Sequence, residues 1–320
     1  MTTPPPPRLS GLAAADFAIQ TGARAGTLRV RASTRDDAVF ARFFDAYDRA
    51  FVLPDEKEGR EGFVECLALN HGPAQACLLE RYGPFREWVL VAERDGGVVG
   101  GANFICHLVA GHGGGGALAM NLNYVFVAPG HRGRGHLRDM VAACRRLARM
   151  SFSGDGVDTL PLLVFIELND PLLMSAADYA LDSAIAGVDQ FDRVAIWARL
   201  GARILDFPYR QPPLSAGQGA DEGLMLGVLG APGETLDACL LGGHLERFFA
   251  ISVLKDGDPR ASAEAAGQIA LCAGRCAAAQ GFALLDPLPH LPALRAAGAD
   301  HGPAPRRGFR ERLSGLAAGR

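Results

Sequence analysis

The chain has 320 residues, of which 49% are hydrophobic and 21% are charged, and its formal net charge is −3 at pH 7. Disordered chains are poorer in apolar residues and richer in net charge, so this composition predicts a globular protein with a substantial core. The small negative charge supplies no basic field of the kind that attracts nucleic acid, and no nucleic-acid partner is expected.

The first third of the chain predicts a tail, a strand, helices and a hairpin. Residues 1–26 are rich in proline and lack apolar periodicity, which predicts a disordered tail. Thr27 begins an alternating stretch typical of a strand, and a helical pattern follows it. Two further strands, at residues 88–93 and 98–106, are separated by an Asp-Gly pair, which is typical of a tight antiparallel hairpin.

A strand, a basic glycine turn and a helix follow one another in the middle of the chain. The strand ends at Val127, the turn at residues 132–135 reads Arg-Gly-Arg-Gly, and apolar residues recur at helical spacing from Leu137. Such a helix start points unpaired backbone N–H groups and the positive end of the helix dipole at one place. The pattern therefore predicts an anion site suited to a pyrophosphate.

A second apolar strand at residues 161–169 carries Glu167 and Asn169 on one face. Its strongly apolar part is about half as long as the roughly 18 residues of a membrane helix, so no membrane span is expected. A helix at residues 193–201 and a short strand follow. The Ser-Ala-Gly-rich stretch after Pro213 is typical of a linker.

The last third predicts one strand that could complete the sheet, together with several helices. The seven cysteines are odd in number and lie mostly in apolar stretches, which predicts reduced, buried thiols and a cytoplasmic location. Cys272 and Cys276 are spaced to share one helix face, but no nearby His or Cys completes a zinc site. No metal is expected.

The turn and its surroundings resemble the GNAT acyltransferase superfamily. Arg132 and Gly135 match the first two fixed positions of the family motif [Arg/Gln]-x-x-Gly-x-[Gly/Ala], and Leu137 departs from the third. The strand ending in Asn169 and the helix ending at Gly201 are similar to the next two family elements. The resemblance covers residues 27–214.

The resemblance implies a mixed α/β (α+β) fold with a mostly antiparallel twisted sheet flanked by helices, and an α-rich extension at residues 215–320. It also implies an acyl-CoA, most simply acetyl-CoA, held by the strand end, the turn and the next strand. The residues that correspond to these contacts are Val125, Phe126, Val127, Arg132, Gly133, Arg134, Gly135, His136, Leu137 and Asn169.

The carboxylate that the family usually carries on this strand, and its proton-donating tyrosine, are both missing from the sequence. Glu167 is the expected base, with Asn169 beside it, and Tyr179 is the expected hydroxyl donor in place of Trp197. Tyr124 is an alternative donor, although strand alternation predicts that it points elsewhere. A carboxylate paired with an arginine is the competing interpretation of Glu167.

The implied reaction is acyl transfer to an amine of a small molecule or peptide within a ternary complex. Asp55 and Glu56 lie in a loop that often borders the acceptor pocket in this family, although a solvated helix start is the favoured interpretation of these acids. Two alternatives stay open: an N-acyl amino acid synthase-like enzyme with a longer acyl donor, and a degenerate acyl-CoA-binding protein. A homodimer is also left open.

Overall fold

Twelve strands are present in the computed structural model, which describes residues 8–21, 26–51, 57–213, 219–255, 257–298 and 307–319. They are β1 (Arg8–Leu9), β2 (Ala14–Gln20), β3 (Thr27–Ser33), β4 (Phe85–Arg94), β5 (Gly97–Ala110), β6 (Gly116–Val127), β7 (Phe152–Ser153), β8 (Leu162–Asn169), β9 (Arg203–Leu205), β10 (Leu224–Leu229), β11 (Thr235–Asp237) and β12 (Gly281–Leu285).

Ten of these strands form one sheet in the order β11-β12-β9-β10-β8-β6-β5-β4-β3-β2. Neighbouring strands are antiparallel except for β6 and β8, which run parallel. The fold class predicted from the sequence, a mixed and mostly antiparallel sheet flanked by helices, is confirmed.

Ten α-helices accompany the sheet among the described residues. They are α1 (Ala38–Ala50), α2 (Arg60–Ala68), α3 (Gly72–Tyr82), α4 (His136–Met150), α5 (Ala176–Ala186), α6 (Gln190–Arg199), α7 (Ala238–Phe248), α8 (Ala263–Ala277), α9 (Leu291–Gly298) and α10 (Phe309–Ala318). A π-helical turn, Phe249–Val253, continues α7.

Alternating side chains of β4 show how the helices divide between the two sides of the sheet. Trp88 and Leu90 pack in a core with α4, α6, α9 and α10. Val89 and Val91 face the opposite side, where they pack with α1 and α2. The helices α3, α7 and α8 cover the rest of that second side. We call it the α7 side.

The N-terminal prediction is wrong for part of residues 1–26. Residues 14–20 form β2, which pairs with β3 from Ala14 opposite Ser33 to Gln20 opposite Thr27. Phe17 and Ile19 pack against the core while their neighbours face solvent. Residues 8–9 form β1, which pairs with β7. A short edge strand with one buried face carries too few apolar residues to stand out from a tail.

The sheet continues across the predicted boundary between residues 214 and 215. The strand β10 inserts between β8 and β9, and β12 pairs with the other edge of β9. The last third thus supplies three strands to the sheet as well as its helices.

One pair of cysteines departs from the prediction of reduced thiols. Cys239 on α7 and Cys276 on α8 form a disulfide, with their Cα atoms 4.8 Å apart. These two helices pack side by side, which brings residues 37 positions apart into contact. Four other cysteines are free and buried: Cys66, Cys106, Cys144 and Cys272. No described helix is long and apolar enough to cross a membrane.

Candidate active site

The strands β6 and β8 separate partway along their length. Their parallel pairing runs from Leu118 opposite Leu162 to Asn121 opposite Phe165, and it stops there although β6 continues to Val127. Beyond this point β6 pairs with β5, and β8 pairs with β10. The facing edges of both strands are therefore left open toward their carboxyl ends. Such a gap in a sheet exposes backbone N–H and C=O groups to a ligand.

A β-bulge in β6 changes which side chains face the α7 side. Asn121 lies opposite Ile105, but Tyr124 lies opposite Asn103, so β6 has one residue more than β5 in this stretch. The extra residue reverses the alternation that follows it. Tyr124 accordingly packs with Tyr47 of α1 on the α7 side, whereas simple alternation predicted that it points elsewhere.

The predicted glycine turn follows β6 and leads directly into α4. Gly133 and Gly135 have φ angles of +72° and +84°, a region that favours glycine. A Cβ atom added at either position would meet nothing within 4 Å, so this face of the turn is open. Gly135 is the N-cap of α4 and provides no side chain to cap it. The first N–H groups of α4 therefore have no side-chain cap and face an open surface, an arrangement that suits an anion.

The two arginine side chains of the turn have different surroundings. The guanidinium of Arg132 donates to the carbonyl of Val127, at 3.0 Å, and to that of Ala186 at the end of α5. This arginine therefore fastens the turn to the end of β6 and to α5. Arg134 is exposed and is the arginine whose charge the turn presents to solvent. Burial first, and then the charge of Arg134, lower the pKa of His131.

The His136 ring is buried in α4, and its Nδ1 atom lies 3.1 Å from Oδ2 of Asp139. Only the backbone N–H of His136, at the first position of the helix, remains suited to the predicted contact with an anion. Leu137 occupies the next position and contributes its N–H in the same way.

The Glu167 side chain lies on the α7 side of β8, next to the gap, and it is half-buried. The Tyr209 hydroxyl donates to the Oε1 atom of Glu167, and the Asn121 side chain also donates to the Glu167 carboxylate. Burial raises the pKa of the Glu167 carboxyl to about 7, although both hydrogen bonds lower it. The partners found in the described chain are neutral, which disagrees with the interpretation of Glu167 as an arginine-paired carboxylate.

The two candidate tyrosines differ in where their hydroxyl groups lie. The Tyr179 hydroxyl is 2.5 Å from Oδ2 of Asp189, the N-cap residue of α6. Burial and this carboxylate raise the pKa of Tyr179 to about 12. Tyr124 lies on β6 near Glu167, whose charge contributes, after burial and Tyr47, to raising the pKa of Tyr124.

Asn169 and Asp170, at the carboxyl end of β8, have different surroundings. Asn169 closes β8 opposite Leu224 and shares the face of Glu167 by alternation. Asp170 is buried, and its carboxylate accepts from the backbone N–H groups of Leu172, at 2.9 Å, and Phe309, at 2.7 Å. Asp170 thus joins the end of β8 to the start of α10, in keeping with a capping role.

A further buried carboxylate, Glu87 on β4, was not predicted from the sequence. Asn103, Asn123 and Ser252 donate to it at 2.7, 3.1 and 2.9 Å. Burial raises the pKa of the Glu87 carboxyl to about 7, against the hydrogen bonds of Asn103 and Ser252. Its donors lie 16, 36 and 165 positions away in the chain, so no local motif marks the site.

A groove of about 960 Å³ opens beside α2, the π-helical turn and the start of α8. Both lysines of the chain line it, together with four glutamates: Lys57, Lys255, Glu58, Glu61, Glu65 and Glu264. The backbone N–H of Glu58 donates to the Tyr47 hydroxyl at 2.8 Å, and Tyr47 contacts Tyr124. The groove is thereby linked through Tyr47 to the region of Glu167. Asp55 and Glu56, the predicted acceptor-binding residues, lie outside the described residues.

No protein-family profile and no curated protein sequence matches this chain. Matching solved structures include a tandem GNAT protein from the clavulanic acid biosynthesis pathway, with 17% identity over 62% of this chain and a TM-score of 0.36. The ribosomal-protein-S18-alanine N-acetyltransferase from Escherichia coli matches with 14% identity, over 65% of this chain and 98% of its own, at a TM-score of 0.34. Arabidopsis thaliana NAA60 in complex with acetyl-CoA matches with 12% identity, over 63% of this chain and 99% of its own, at a TM-score of 0.36.

The matched structures are GNAT N-acetyltransferases, the superfamily that the sequence resembles. This chain spans 46% of the length of the tandem protein.

Proposed function

We propose that this protein is an acyl-CoA-dependent N-acyltransferase that moves an acyl group, most simply acetyl, to an amine. One observation carries the proposal: the gap between β6 and β8 leads directly into the open glycine turn at the start of α4. The turn suits a pyrophosphate, because helix N–H groups and the helix dipole both favour anions. The open edge formed by Val125, Phe126 and Val127 suits the amide-containing arm that joins the pyrophosphate to a thioester.

Glu167 is the group to which we assign the proton of the attacking amine. It lies beside the gap, and a carboxyl pKa of about 7 suits a general base near neutral pH. The amine nitrogen attacks the thioester carbonyl carbon, its proton passes to Glu167, and the carbon–sulfur bond breaks. The base must be ionised, so activity should be present above pH 7 and fall as the pH drops through that value.

Tyr124 is the hydroxyl that we assign to the leaving thiolate. It lies near Glu167 on the strand that forms one edge of the gap, and its raised pKa keeps it protonated as a donor. The Tyr124 hydroxyl is hydrogen-bonded to Tyr47, and the Tyr179 hydroxyl to Asp189, so both candidates have a partner. We prefer Tyr124 because β6 forms an edge of the gap, whereas Asp189 holds Tyr179 at the start of α6. The groove beside α2 is lined by four glutamates and two lysines, and this excess of acidic groups supports a small-molecule or peptide acceptor that carries an amine.

Calorimetric titration with acetyl-CoA tests the turn. Gly135→Asp introduces a side chain at positive φ and a negative charge at the helix start, and it should weaken binding at least about tenfold. Gly113→Asp is the matched control, because Gly113 also has positive φ and an open surround, at the opposite end of β6. Equal affinities for the two variants, or no binding by the unmodified protein, would contradict the proposal.

Thiol release over a panel of amines then separates the candidate functions. Release with acetyl-CoA supports acetyl transfer, and release only with longer acyl donors indicates a synthase-like enzyme. Binding without release from any donor indicates a degenerate acyl-CoA-binding protein.

A further inference from the structure

A row of buried side chains connects the C-terminal third to Glu167. His244 on α7 has its Nε2 atom 3.3 Å from Oδ1 of Asn121 and its Nδ1 atom 3.2 Å from Nε2 of His107. The three side chains are completely buried. Burial lowers the pKa of His244 to about 3 and lowers that of His107 well below its ordinary value, so both rings are neutral.

The Asn121 amide can be oriented in only one way by its neighbours. Its Nδ2 group donates to Oδ1 of Asn123 at 3.0 Å and to the Glu167 carboxylate. The reverse orientation would place Oδ1 against two other oxygen acceptors. Oδ1 therefore faces His244, and the Nε2 atom of His244 must carry the hydrogen.

The same reasoning determines which ring nitrogen of His107 carries the hydrogen. Because Nε2 of His244 is the donor, Nδ1 accepts, and Nε2 of His107 must donate to it. The Nδ1 atom of His107 is then an acceptor, and it has no hydrogen-bond partner in the described part of the chain. The hydrogen bonds from His107 to His244, from His244 to Asn121 and from Asn121 to Glu167 therefore all run in the same direction.

Two phenylalanines hold the plane of the His244 ring. The ring stacks on Phe165 with centroids 3.7 Å apart and an angle of 10°, and it lies nearly parallel to Phe248. Phe165 shares the face of β8 with Glu167, two residues farther along. The stack therefore ties the direction of the His244 N–H to the strand that carries the proposed base.

We propose that His244, supported by His107, is a positioning residue that directs the Asn121 amide at Glu167. The inference rests on the proposed function of Glu167 as the base. It makes α7 a part of the active site, because this helix of the C-terminal third supplies the hydrogen bond that holds Oδ1 of Asn121 and keeps Nδ2 on the Glu167 carboxylate.

The predicted consequence concerns the ionisation of Glu167. The ionisable groups around Glu167 are Tyr209, Tyr124 and Asp221, and those around His244 are His107 and Arg247. The Asn121 hydrogen bond lowers the pKa of Glu167. If Asn121 loses its orientation, the pKa of Glu167 rises, and the protein must be brought to a higher pH before the base ionises.

The test compares His244→Phe with His244→Gln. Phenylalanine keeps a ring for the stack but has no N–H, whereas the glutamine amide can donate from a position near that of Nε2. We expect His244→Phe to raise the pKa of the Glu167 carboxyl by about 0.5 to 1 unit. At a pH below the pKa, the ionised fraction of Glu167 then falls about three- to tenfold. We expect His244→Gln to restore most of the shift. Leu245→Val, which trims the same buried helix, controls for core loosening and should give none.

The readout is a carbon-13 NMR titration of the Glu167 carboxyl, assigned with Glu167→Gln, alongside the pH profile of kcat/KM. An unchanged titration in His244→Phe, or an equal shift in Leu245→Val, would overturn the positioning role. The titration needs no turnover. A shifted titration in His244→Phe without any acyl transfer by the unmodified protein would contradict the proposed function and support the positioning role. Acyl transfer by the unmodified protein with an unshifted titration in His244→Phe would support the proposed function and contradict the positioning role.

Nitrogen-15 NMR of the unmodified protein gives a second test that does not depend on the folding of any variant. We expect the His244 ring to stay neutral between pH 5 and 8, with the hydrogen on Nε2. A hydrogen on Nδ1 would leave the Asn121 carbonyl without its donor, and it would contradict the proposal.

Discussion

Glu87 and Glu167, both on the α7 side of the sheet, have similarly raised carboxyl pKa values but differ in how accessible they are to a substrate. Burial raises the carboxyl pKa of both Glu87 and Glu167 to about 7. Glu87 is 1% exposed and enclosed by donors from β5, β6 and the π-helical turn. Glu167 is half-buried and lies where β6 and β8 separate.

A raised pKa therefore does not by itself identify a catalytic base in this protein. Burial without a charged partner produces it at both positions, since desolvation disfavours the ionised form of any carboxyl group. A route for the substrate distinguishes the two groups. The following experiments test whether Glu167 acts in catalysis while Glu87 organises the sheet.

The largest expected effect is on turnover. Glu167→Gln removes the proposed base and should lower kcat/KM by about 10²- to 10⁴-fold, while the affinity for acetyl-CoA stays unchanged. The check is a thiol-release assay with saturating amine, combined with calorimetry. Glu87→Gln is the matched variant, and it should lower kcat/KM by less than about tenfold because no route leads substrate to it. Equal losses in the two variants would remove the distinction.

The second effect is on stability and concerns Glu87. Its folded-state pKa of about 7 lies above its ordinary value of 4.5, so the folded protein binds a proton more tightly than the unfolded chain. The stability contributed by the protonated carboxyl is complete below pH 4.5 and is lost as the pH rises through 7. The unmodified protein should therefore lose about 3 kcal/mol relative to Glu87→Gln between pH 4.5 and 8.

Urea denaturation of both proteins over this pH range measures the difference. Glutamine keeps the shape of the side chain and cannot ionise, so its curve supplies the reference. A constant difference between the two proteins across the range would show that Glu87 does not change its ionisation on folding.

The elements of the gap could be predicted from the sequence, because each has a local signal. The glycines of the turn, the apolar spacing of α4 and the apolar strand that carries Glu167 all appear within short stretches. The polar network has no such signal. His244 meets Asn121 across 123 positions, and a bulge that no residue type marks turns Tyr124 to the α7 side.

The smallest expected effect is a shift in the pH dependence of activity when the hydroxyl that donates to Glu167 is removed. Tyr209→Phe removes a hydrogen bond that lowers the pKa of Glu167. The base then ionises at higher pH, and the acidic limb of kcat/KM should move upward by about half a unit to one unit, with little change well above it. The check is a pH profile with an amine whose own ionisation is known.

Ser252→Ala is the counterpart of Tyr209→Phe, since Ser252 donates to Glu87 and its hydrogen bond lowers the pKa of that carboxyl. It should change the pH dependence of unfolding and leave the acidic limb of activity in place. If Ser252→Ala moves the limb as far as Tyr209→Phe does, the activity follows the ionisation of Glu87. The enclosed carboxylate, reached through Asn123 and Asn121, would then have to be counted as part of the proton path.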